Sequence, residues 1–448
     1  MNIYLSGTGG PKIEEKLLYK PDEIPLPGKT AVYSFQWVIF SLTVCAVIPG
    51  VVGTGLGLNP EEISNFIQRT FFFCGIFSVI QLYFGHRLPI FEGIGGMWYN
   101  ILIIMGVIAP QIGKPLAELR GNIVLGMFIV GAIYIIIGFF GLIDKIMIVF
   151  TPAVKGTFFL LMGLQISGSI MRGMLGIWPH GGMVNLPGVI LFIAVVGIII
   201  WISLKQRGFL QSIGIFIGAM AGWAAAIFIG ITEPPLFTSK GLALPEPLPW
   251  GMPQFDPGIT VILLIVGFFT LSNLVTSIAT FSELVGKEAE NNDYNRATII
   301  TGLGNVFAGF FALIGFVPFA SSIGFARVTG VASNRPFLIG SLIIMFLGLF
   351  PMIGSLFAAI PAQVGFAVIL IMFCQLLGVA FMEYRKIYFD NRTGFIVGIS
   401  ILLGVGTMFI PPESMALMPL FVKSFVGNGL TVGLLICVLL EQVLIPRK

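Results

Sequence analysis

The stretch from Gly302 to Arg335 is the feature that most constrains how this chain can fold. It is apolar enough to lie inside a membrane, yet it contains Pro318, Gly324 and several small hydroxyl side chains. Proline lacks a backbone N–H and glycine weakens a helix, so we expect Phe319 to Phe325 to leave helical geometry. Backbone outside a helix is tolerated at membrane depth only where it is buried in protein or lines a cavity. The stretch therefore predicts a functional interruption of a membrane-spanning segment.

The overall composition agrees with a protein that crosses a lipid bilayer many times. Of the 448 residues, 56% are hydrophobic and only 10% are charged, whereas soluble domains carry roughly 25% charged residues. The chain has many apolar runs, and about 20 apolar residues suffice to cross the hydrocarbon. The net charge of +4 is small and dispersed, which gives no support to nucleic-acid binding.

The fold class that we predict is an all-α polytopic membrane protein. We expect 14 segments, at residues 31–55, 64–85, 88–109, 121–143, 150–171, 186–204, 209–231, 259–282, 297–315, 317–331, 337–355, 361–382, 393–410 and 429–445. Two of these, the third and the tenth, are interrupted by glycine and proline. Such a pair, in corresponding positions of two halves, is typical of the substrate site of secondary transporters.

The matching interruptions predict two repeats of seven segments, the second inverted because seven is odd. The first repeat covers residues 31–231 and the second covers residues 259–448. A cytosolic N-terminal tail (residues 1–30) precedes them, and a proline-rich external connector (residues 232–258) joins them. We expect short extended stretches near Gly95–Trp98 and Phe319–Phe325, meeting near the middle of the membrane.

The basic residues of the loops predict the orientation, because cytoplasmic loops carry an excess of lysine and arginine. With the N-terminus inside, the cytoplasmic side receives Lys12, Lys16, Lys20, Lys29, Arg87, Lys145, Lys205, Arg207, Lys287, Arg296, Arg335, Arg385, Lys386, Arg392, Arg447 and Lys448. The outer side receives Lys114, Arg120, Arg172 and Lys240. We therefore expect both termini to be cytoplasmic and the protein to reside in the cell membrane.

The sequence contains no motif that indicates catalysis, a metal site or a cofactor. Aspartate-rich motifs, HExxH, a P-loop lysine and GxSxG are all missing. His86 and His180 lie far apart, and all four cysteines fall within apolar runs, as buried small hydrophobic residues do. We therefore predict that the protein is not an enzyme, has no catalytic residues and needs neither a metal nor a cofactor.

Two carboxylates are candidates for coupling transport to protons. A charge inside a membrane segment is costly and commonly functional. Glu92 lies in the interrupted third segment, and its alternative interpretation is a near-interface carboxylate paired with a basic loop residue. Glu283 lies at the inner end of the eighth segment, where an interfacial role competes with coupling.

Uncharged polar residues in the same segments predict a site for a flat, neutral heterocycle. An amide on the eighth segment, facing hydroxyls on the interrupted tenth, would offer it hydrogen-bond donors and acceptors, and an aromatic side chain could stack on it. Polar residues in a bundle also hydrogen-bond neighbouring helices, for about 0.6 kcal/mol each, which is the alternative role for Gln36. The candidate substrate-binding residues are Gln36, Gly96, Trp98, Asn273, Ser277, Phe319, Ser321, Ser322 and Gly324.

Several motifs in order resemble the nucleobase–cation symporter-2 family, also called nucleobase/ascorbate transporters or xanthine/uracil permeases. Gln36-Trp37 is similar to the family's Gln-His, and LPIFEGIGGMW at Leu88–Trp98 to its third segment. Three further stretches fit as well: TPAVKGTFFLLMGL (151–164), GLGNVFAG (302–309) and AAIPAQVGFAVILIMF (358–373). Gly324, Thr329 and Ser333 keep the frame of the family signature. The resemblance covers nearly all of the chain after the N-terminal tail.

The chain departs from the family at the residues that would bind substrate and protons. Ser321-Ser322 replaces the signature Glu/Gln-Asn, and Asn273 occupies the position of a substrate-binding glutamate. Trp37 replaces the first-segment histidine, and the signature arginine falls on Asn334. The two carboxylates that the resemblance would assign are therefore absent, and Glu92 is a candidate for a relocated acid.

The resemblance implies a core domain (segments 1–4 and 8–11) that moves against a gate domain (segments 5–7 and 12–14). It also implies a purine or pyrimidine base as substrate, such as uracil, xanthine or uric acid, moved with H+, and a homodimer as the assembly. A nucleobase uniporter and an anion carrier of the related sulfate or bicarbonate type are the alternatives among transporters. A membrane enzyme or a non-transporting receptor is the alternative from another class.

Overall fold

The computed structural model describes residues 17–179, 181–232, 241–411, 414, 417–419, 422, 426 and 428–445. The helices are α1 (Pro27–Cys45), α2 (Ile48–Gly55), α3 (Pro60–Phe84), α4 (Gly96–Gln111), α5 (Leu116–Phe139), α6 (Ile143–Met147), α7 (Pro152–Leu175), α8 (Leu186–Lys205), α9 (Phe209–Ser212), α10 (Gly214–Phe228), α11 (Pro257–Leu284), α12 (Asn291–Phe310), α13 (Ser321–Thr329), α14 (Asn334–Leu347), α15 (Pro351–Ala358), α16 (Ala362–Tyr384), α17 (Asn391–Thr407) and α18 (Gly429–Leu439). The strands are β1 (Glu92–Ile94) and β2 (Phe316–Pro318). The predictions for residues 1–16, 233–240 and 446–448 lie outside the described residues.

The helices that are long and apolar enough to cross a membrane coincide with predicted apolar runs. Among the described residues, seven helices are long and apolar enough to cross a membrane, and the bent pair α14 and α15 makes up to eight. Shorter apolar helices cover Gly96–Gln111, Gly214–Phe228, Asn391–Thr407 and Gly429–Leu444. The last of these ends in a π-helical turn, Leu440–Leu444. The structure therefore confirms a predominantly helical membrane protein.

The predicted eleventh segment, residues 337–355, is formed by two helices with a sharp bend between them. The axes of α14 and α15 differ by 86°. The break falls just before Pro351, the first residue of α15. Proline cannot donate the helical hydrogen bond, and it pushes the preceding residue out of helical geometry.

Polar residues at the boundaries of the apolar runs start several helices. Asn59 forms a capping box with Glu62 at α3, and Thr151, Asp256, Asp390 and Asn428 each cap the helix that follows. Such side chains accept hydrogen bonds from backbone N–H groups that have no partner within the helix. Near the start of a membrane helix, where lipid offers no hydrogen bonds, these caps define where each span begins.

The first helical half packs against the second through small residues. A Cβ atom placed on Gly131 of α5 would come within 2.6 Å of the Gly302 carbonyl oxygen of α12, and one on Gly302 within 2.8 Å of the Gly131 carbonyl oxygen. Glycine at both positions lets the two backbones approach closely, as is common between membrane helices.

The two ends of the helical bundle carry different segments of the chain. At the tail end, named for residues 17–26, Leu18 N–H donates to Gly330 O (2.7 Å) and Ala332 N–H donates to Tyr19 O (2.9 Å). At the connector end, named for residues 241–256, Gln254 N–H donates to Gly121 O (3.0 Å) and Gln68 Nε2 donates to Ala243 O (2.9 Å). The described part of the connector is therefore packed onto the helices.

A buried ion pair ties the first half of the chain to the second at the connector end. Lys114 Nζ lies 2.7 Å from Asp256 Oδ2 and 2.9 Å from Glu118 Oε1. The Lys114 residue is only 2% exposed, and Asp256 also caps α11 through the Ile259 N–H. The pair thus fixes the start of α11 against the loop between α4 and α5.

Replacing Lys114 by methionine is expected to lower the thermal unfolding temperature of the purified protein in detergent. Removing one partner leaves a buried carboxylate unpaired, which costs about 3–5 kcal/mol. The matched control is Lys287→Met, because Lys287 pairs with Asp22 at 2.8 Å in an exposed position and such pairs contribute about 0–1 kcal/mol. Equal melting of the two variants would contradict a structural role for the buried pair.

Candidate functional site

The two interrupted segments meet as an antiparallel pair of strands. Glu92 pairs with Pro318, Gly93 with Val317 and Ile94 with Phe316. Two hydrogen bonds extend the pairing at its ends: Gly95 N–H donates to Gly315 O (3.0 Å) and Phe319 N–H donates to Phe91 O (2.8 Å). Pro318 is compatible with this strand because a two-stranded sheet leaves each strand one unpaired edge.

The strands lie three residues before the predicted extended stretches, which is a correction. Gly96–Trp98 forms the first turn of α4, and Ser321–Phe325 belongs to α13. Gly324 is therefore helical, at a cost of about 1 kcal/mol relative to alanine, and Phe319 lies between β2 and α13. Local sequence indicated the interruption, whereas the cross-strand hydrogen bonds decide which residues are extended.

Each strand is followed within two residues by a helix whose first turn has no side-chain cap. The residues before α4 and α13 are Gly95 and Ala320, and neither offers a side-chain acceptor. The first N–H groups of a helix have no partner within it, and the helix dipole places partial positive charge there. At α13 two of these groups are engaged, because Ser322 N–H donates to Phe319 O (2.9 Å) and Ile323 N–H donates to Ala320 O (3.1 Å). The first turn of α4 and the first N–H of α13 can therefore receive a ligand's oxygen or nitrogen acceptors.

A polar stripe on α11 runs from the strand pair towards the tail end. Asn273 is half-buried, and Thr276, Ala279 and Glu283 are exposed. Their spacing of three and four residues places them on one face of the helix. Ser277 is fully buried, and its Oγ lies 3.5 Å from Asn273 Oδ1. A polar face at this depth suits water or substrate better than lipid.

A second stripe, made of small and polar residues, runs along α13 in the same direction. Ser321, Gly324 and Arg327 are exposed, and a Cβ placed on Gly324 would have no atom within 4 Å. Between the stripes, α11 and α13 contribute to one apolar cluster that includes Leu274, Ile278, Ile323 and Ala326. The structure therefore brings Asn273, Ser321 and Gly324 to neighbouring helices beside the strand pair.

Two of the predicted ligands are used inside the protein. Ser322 is fully buried, and its Oγ accepts a hydrogen bond from Phe91 N–H at 3.1 Å. This bond fastens the first turn of α13 to the entry of β1. Trp98 is also fully buried, and a Cβ on Gly267 of α11 would lie 3.5 Å from its ring. The contacts observed for Ser322 and Trp98 are with other residues of the protein. Their contact with substrate therefore stays a prediction.

The aromatic residues beside the site form a cluster among α1, α14 and the segment from Phe319 to α13. The ring centroid of Trp37 lies 4.5 Å from that of Phe325 and 5.0 Å from that of Phe337. The ring centroids of Phe40 and Phe319 are 6.1 Å apart. Trp37 therefore packs as an apolar residue where the family has a histidine. Gln36, the neighbouring candidate, is half-buried on α1.

Glu92 is the single acid in the sequence of the two interrupted segments. Its side chain is fully buried, and Oε1 accepts a hydrogen bond from Thr301 Oγ1 at 2.9 Å. Thr301 Oγ1 in turn accepts from Gln81 Nε2 at 3.0 Å. Glu92 N–H donates to Ser78 Oγ at 2.9 Å. The carboxyl thus faces α3 and α12.

No basic residue pairs with Glu92 in the part of the chain that the structure describes, and Oε2 has no hydrogen-bond partner there. The alternative of a near-interface carboxylate paired with a loop cation therefore does not describe this residue. A carboxylate that is buried without a cation is costly. Sequence reasoning missed Gln81 and Thr301, whose only signal was an amide and a hydroxyl inside apolar helices.

Comparison with known proteins gives a match over most of the chain. A family model described as a permease family, Xan_ur_permease, matches residues 28–413. The xanthine permease of Bacillus subtilis (strain 168) is 24% identical over 93% of this chain and 94% of its own length. The uric acid transporter UacT of Escherichia coli (strain K12) is 27% identical over 94% of this chain and 87% of its own length.

The fold is shared with solved transporters of low sequence identity. The transmembrane domain of the cyanobacterial bicarbonate transporter BicA aligns with a TM-score of 0.61 and 14% identity, over 91% of this chain and all of that domain. At this identity the likeness shows the fold alone. The family match covers far more than half of the sequence, and the chain therefore belongs to the xanthine/uracil permease family.

Proposed function

We propose that the protein is a secondary active transporter of purine or pyrimidine nucleobases, of the uracil, xanthine and uric acid class, which works by H+ symport and alternating access. Family membership carries the proposal, and relatives named xanthine permease and uric acid transporter support the substrate class. The crossing of two interrupted segments supports a substrate site inside the membrane.

The architecture that we propose for this cycle has 14 segments in two inverted repeats of seven. The antiparallel pairing of β1 with β2 supports the inversion, because each strand is followed by a helix in the opposite direction. Segments 1–4 and 8–11 would form the core and segments 5–7 and 12–14 the gate. The excess of basic residues in the loops supports a cytoplasmic tail end and an external connector end. The proposed assembly is a homodimer in the cell membrane.

In this proposal the base lies beside the strand pair, between the two polar stripes. Asn273 offers an amide to the polar edge of the base, and Ser277 orients that amide from within α11. Ser321, Gly324 and Gly96 let the base approach the uncapped N-termini of α13 and α4. Glu283 lies further along the α11 stripe, towards the cytoplasm.

Coupling to protons is assigned to Glu92 in this proposal. Its unpartnered oxygen can take up and release a proton, and Glu92 lies on β1, which pairs with β2 at the proposed site. A change in the strand pair when the base binds would alter the surroundings of this carboxyl. Glu283, exposed at the tail end, is the second candidate.

Uptake into proteoliposomes with an imposed pH gradient, acid outside, tests the proposed function. We expect accumulation of labelled xanthine, uric acid or uracil, and competition among unlabelled bases should rank them. Empty liposomes are the control. Equilibration without accumulation would indicate a uniporter, and uptake of bicarbonate or sulfate in place of any base would indicate the anion carrier. Binding without uptake would reject a transporter.

A further inference from the structure

A cavity at the connector end is not explained by the site beside the strands. Its volume is about 230 Å³, and it lies between α4 on one side and α7 and α17 on the other. A second cavity, of about 420 Å³, adjoins it and shares Val107, Gln111 and Arg172. Since one water occupies about 30 Å³ in the liquid, the first cavity alone holds about eight waters, which is ample for a small heterocycle.

The walls of this cavity combine one cation with neutral hydrogen-bonding groups. Arg172, in the last turn of α7, lines both cavities, and Gln111, Gln165 and Ser169 line the first. Among the described residues no ion pair involves Arg172, and two acids of this end, Glu118 and Asp256, are engaged by Lys114. The cavity therefore presents positive charge that the described part of the protein leaves uncompensated.

The cavity and the proposed substrate site lie along the same helix, α4. Ile104, at its inner wall, lies eight residues beyond Gly96, which corresponds to about 12 Å along a helix. The cavity thus lies between the connector end and the level of the strand pair along α4.

On these grounds, and resting on the function proposed above, we propose that this cavity is an entry site that selects anionic oxopurines. A guanidinium binds a planar, delocalised anion with two parallel hydrogen bonds. The amide of Gln111 and the hydroxyl of Ser169 add donors and acceptors for the ring carbonyl and N–H groups. The Gln165 amide is held by Asn428 Oδ1 (3.2 Å) and Leu430 N–H (3.0 Å) and shapes the wall. Uric acid carries a negative charge at neutral pH, whereas hypoxanthine is neutral, so the cavity distinguishes the two.

The test compares the KM values of uric acid and hypoxanthine for uptake at pH 7 in wild type, Arg172→Gln and Arg172→Lys. We expect Arg172→Gln to raise the KM of uric acid about tenfold, or ~1.4 kcal/mol, and to change that of hypoxanthine less than about twofold. Arg172→Lys should retain most of the affinity because it keeps the charge. Arg120→Gln is the matched control, since Arg120 lies at the same end, donates to Leu56 O and is absent from the lining of either cavity.

A purely structural role for Arg172 at the end of its helix would raise both KM values alike, and that result would overturn the inference. An unchanged KM for uric acid would also overturn it. The inference would also be overturned if the wild type takes up hypoxanthine but neither transports uric acid nor is inhibited by it. In that case the proposed function would still stand. If the wild type takes up no nucleobase at all, the proposed function itself fails.

Discussion

Replacing Glu92 by glutamine is expected to abolish accumulation of substrate on a pH gradient while exchange of labelled for unlabelled base continues. The amide keeps the size of the side chain and an oxygen that can accept from Thr301 Oγ1, which donates at 2.9 Å in the native protein. It cannot carry the transported proton. Proteoliposomes measure both quantities: accumulation with an inward proton gradient, and exchange with equal pH on both sides.

The matched control for this variant is Glu283→Gln. Glu283 is the other acid proposed for coupling, but it is exposed on α11, where water can solvate the charge. We expect this variant to accumulate substrate normally. If Glu92→Gln still concentrates the base, coupling runs through Glu283, through another ion or not at all, and the protein would be a uniporter.

Replacing Asn273 by leucine is expected to weaken uptake roughly ten- to a hundredfold, seen as a higher KM for the preferred base. The change removes a hydrogen-bonding amide beside the strand pair and leaves polar groups of the bound base unpaired. Such a loss costs about 1–3 kcal/mol, and each 1.4 kcal/mol is about a factor of ten in affinity. Expression in the membrane should stay normal, since Asn273 is only half-buried.

Thr260→Val provides the comparison within the same helix. Thr260 is a buried α11 residue whose hydroxyl has no hydrogen-bond partner among the described residues, and it lies near the connector end of the helix. Removing this hydroxyl should leave the KM unchanged. An unaltered KM in Asn273→Leu would place the substrate site elsewhere in the protein.

The site itself could be predicted only in part from the sequence. The interruptions at Gly93–Gly96 and at Pro318 are local features, because glycine and proline change the backbone wherever they occur. The register of β1 with β2 is not local, and the extended residues lie three positions earlier than predicted. Ser322 has the chemistry of a substrate ligand, but its hydroxyl is held by Phe91 N–H, 231 residues away in the chain.

What the sequence by itself determined is the class of protein: apolar runs that must lie in lipid, caps that start the helices, and ordered motifs that identify the family. Only the tertiary structure decided which polar groups meet. Glu92 is bonded to Thr301, 209 residues away, Lys114 to Asp256, 142 residues away, and Arg172 stands in a cavity formed by three helices. Hydropathy and helix capping depend on residues within a few positions of one another, whereas a hydrogen-bond partner depends on how distant helices pack.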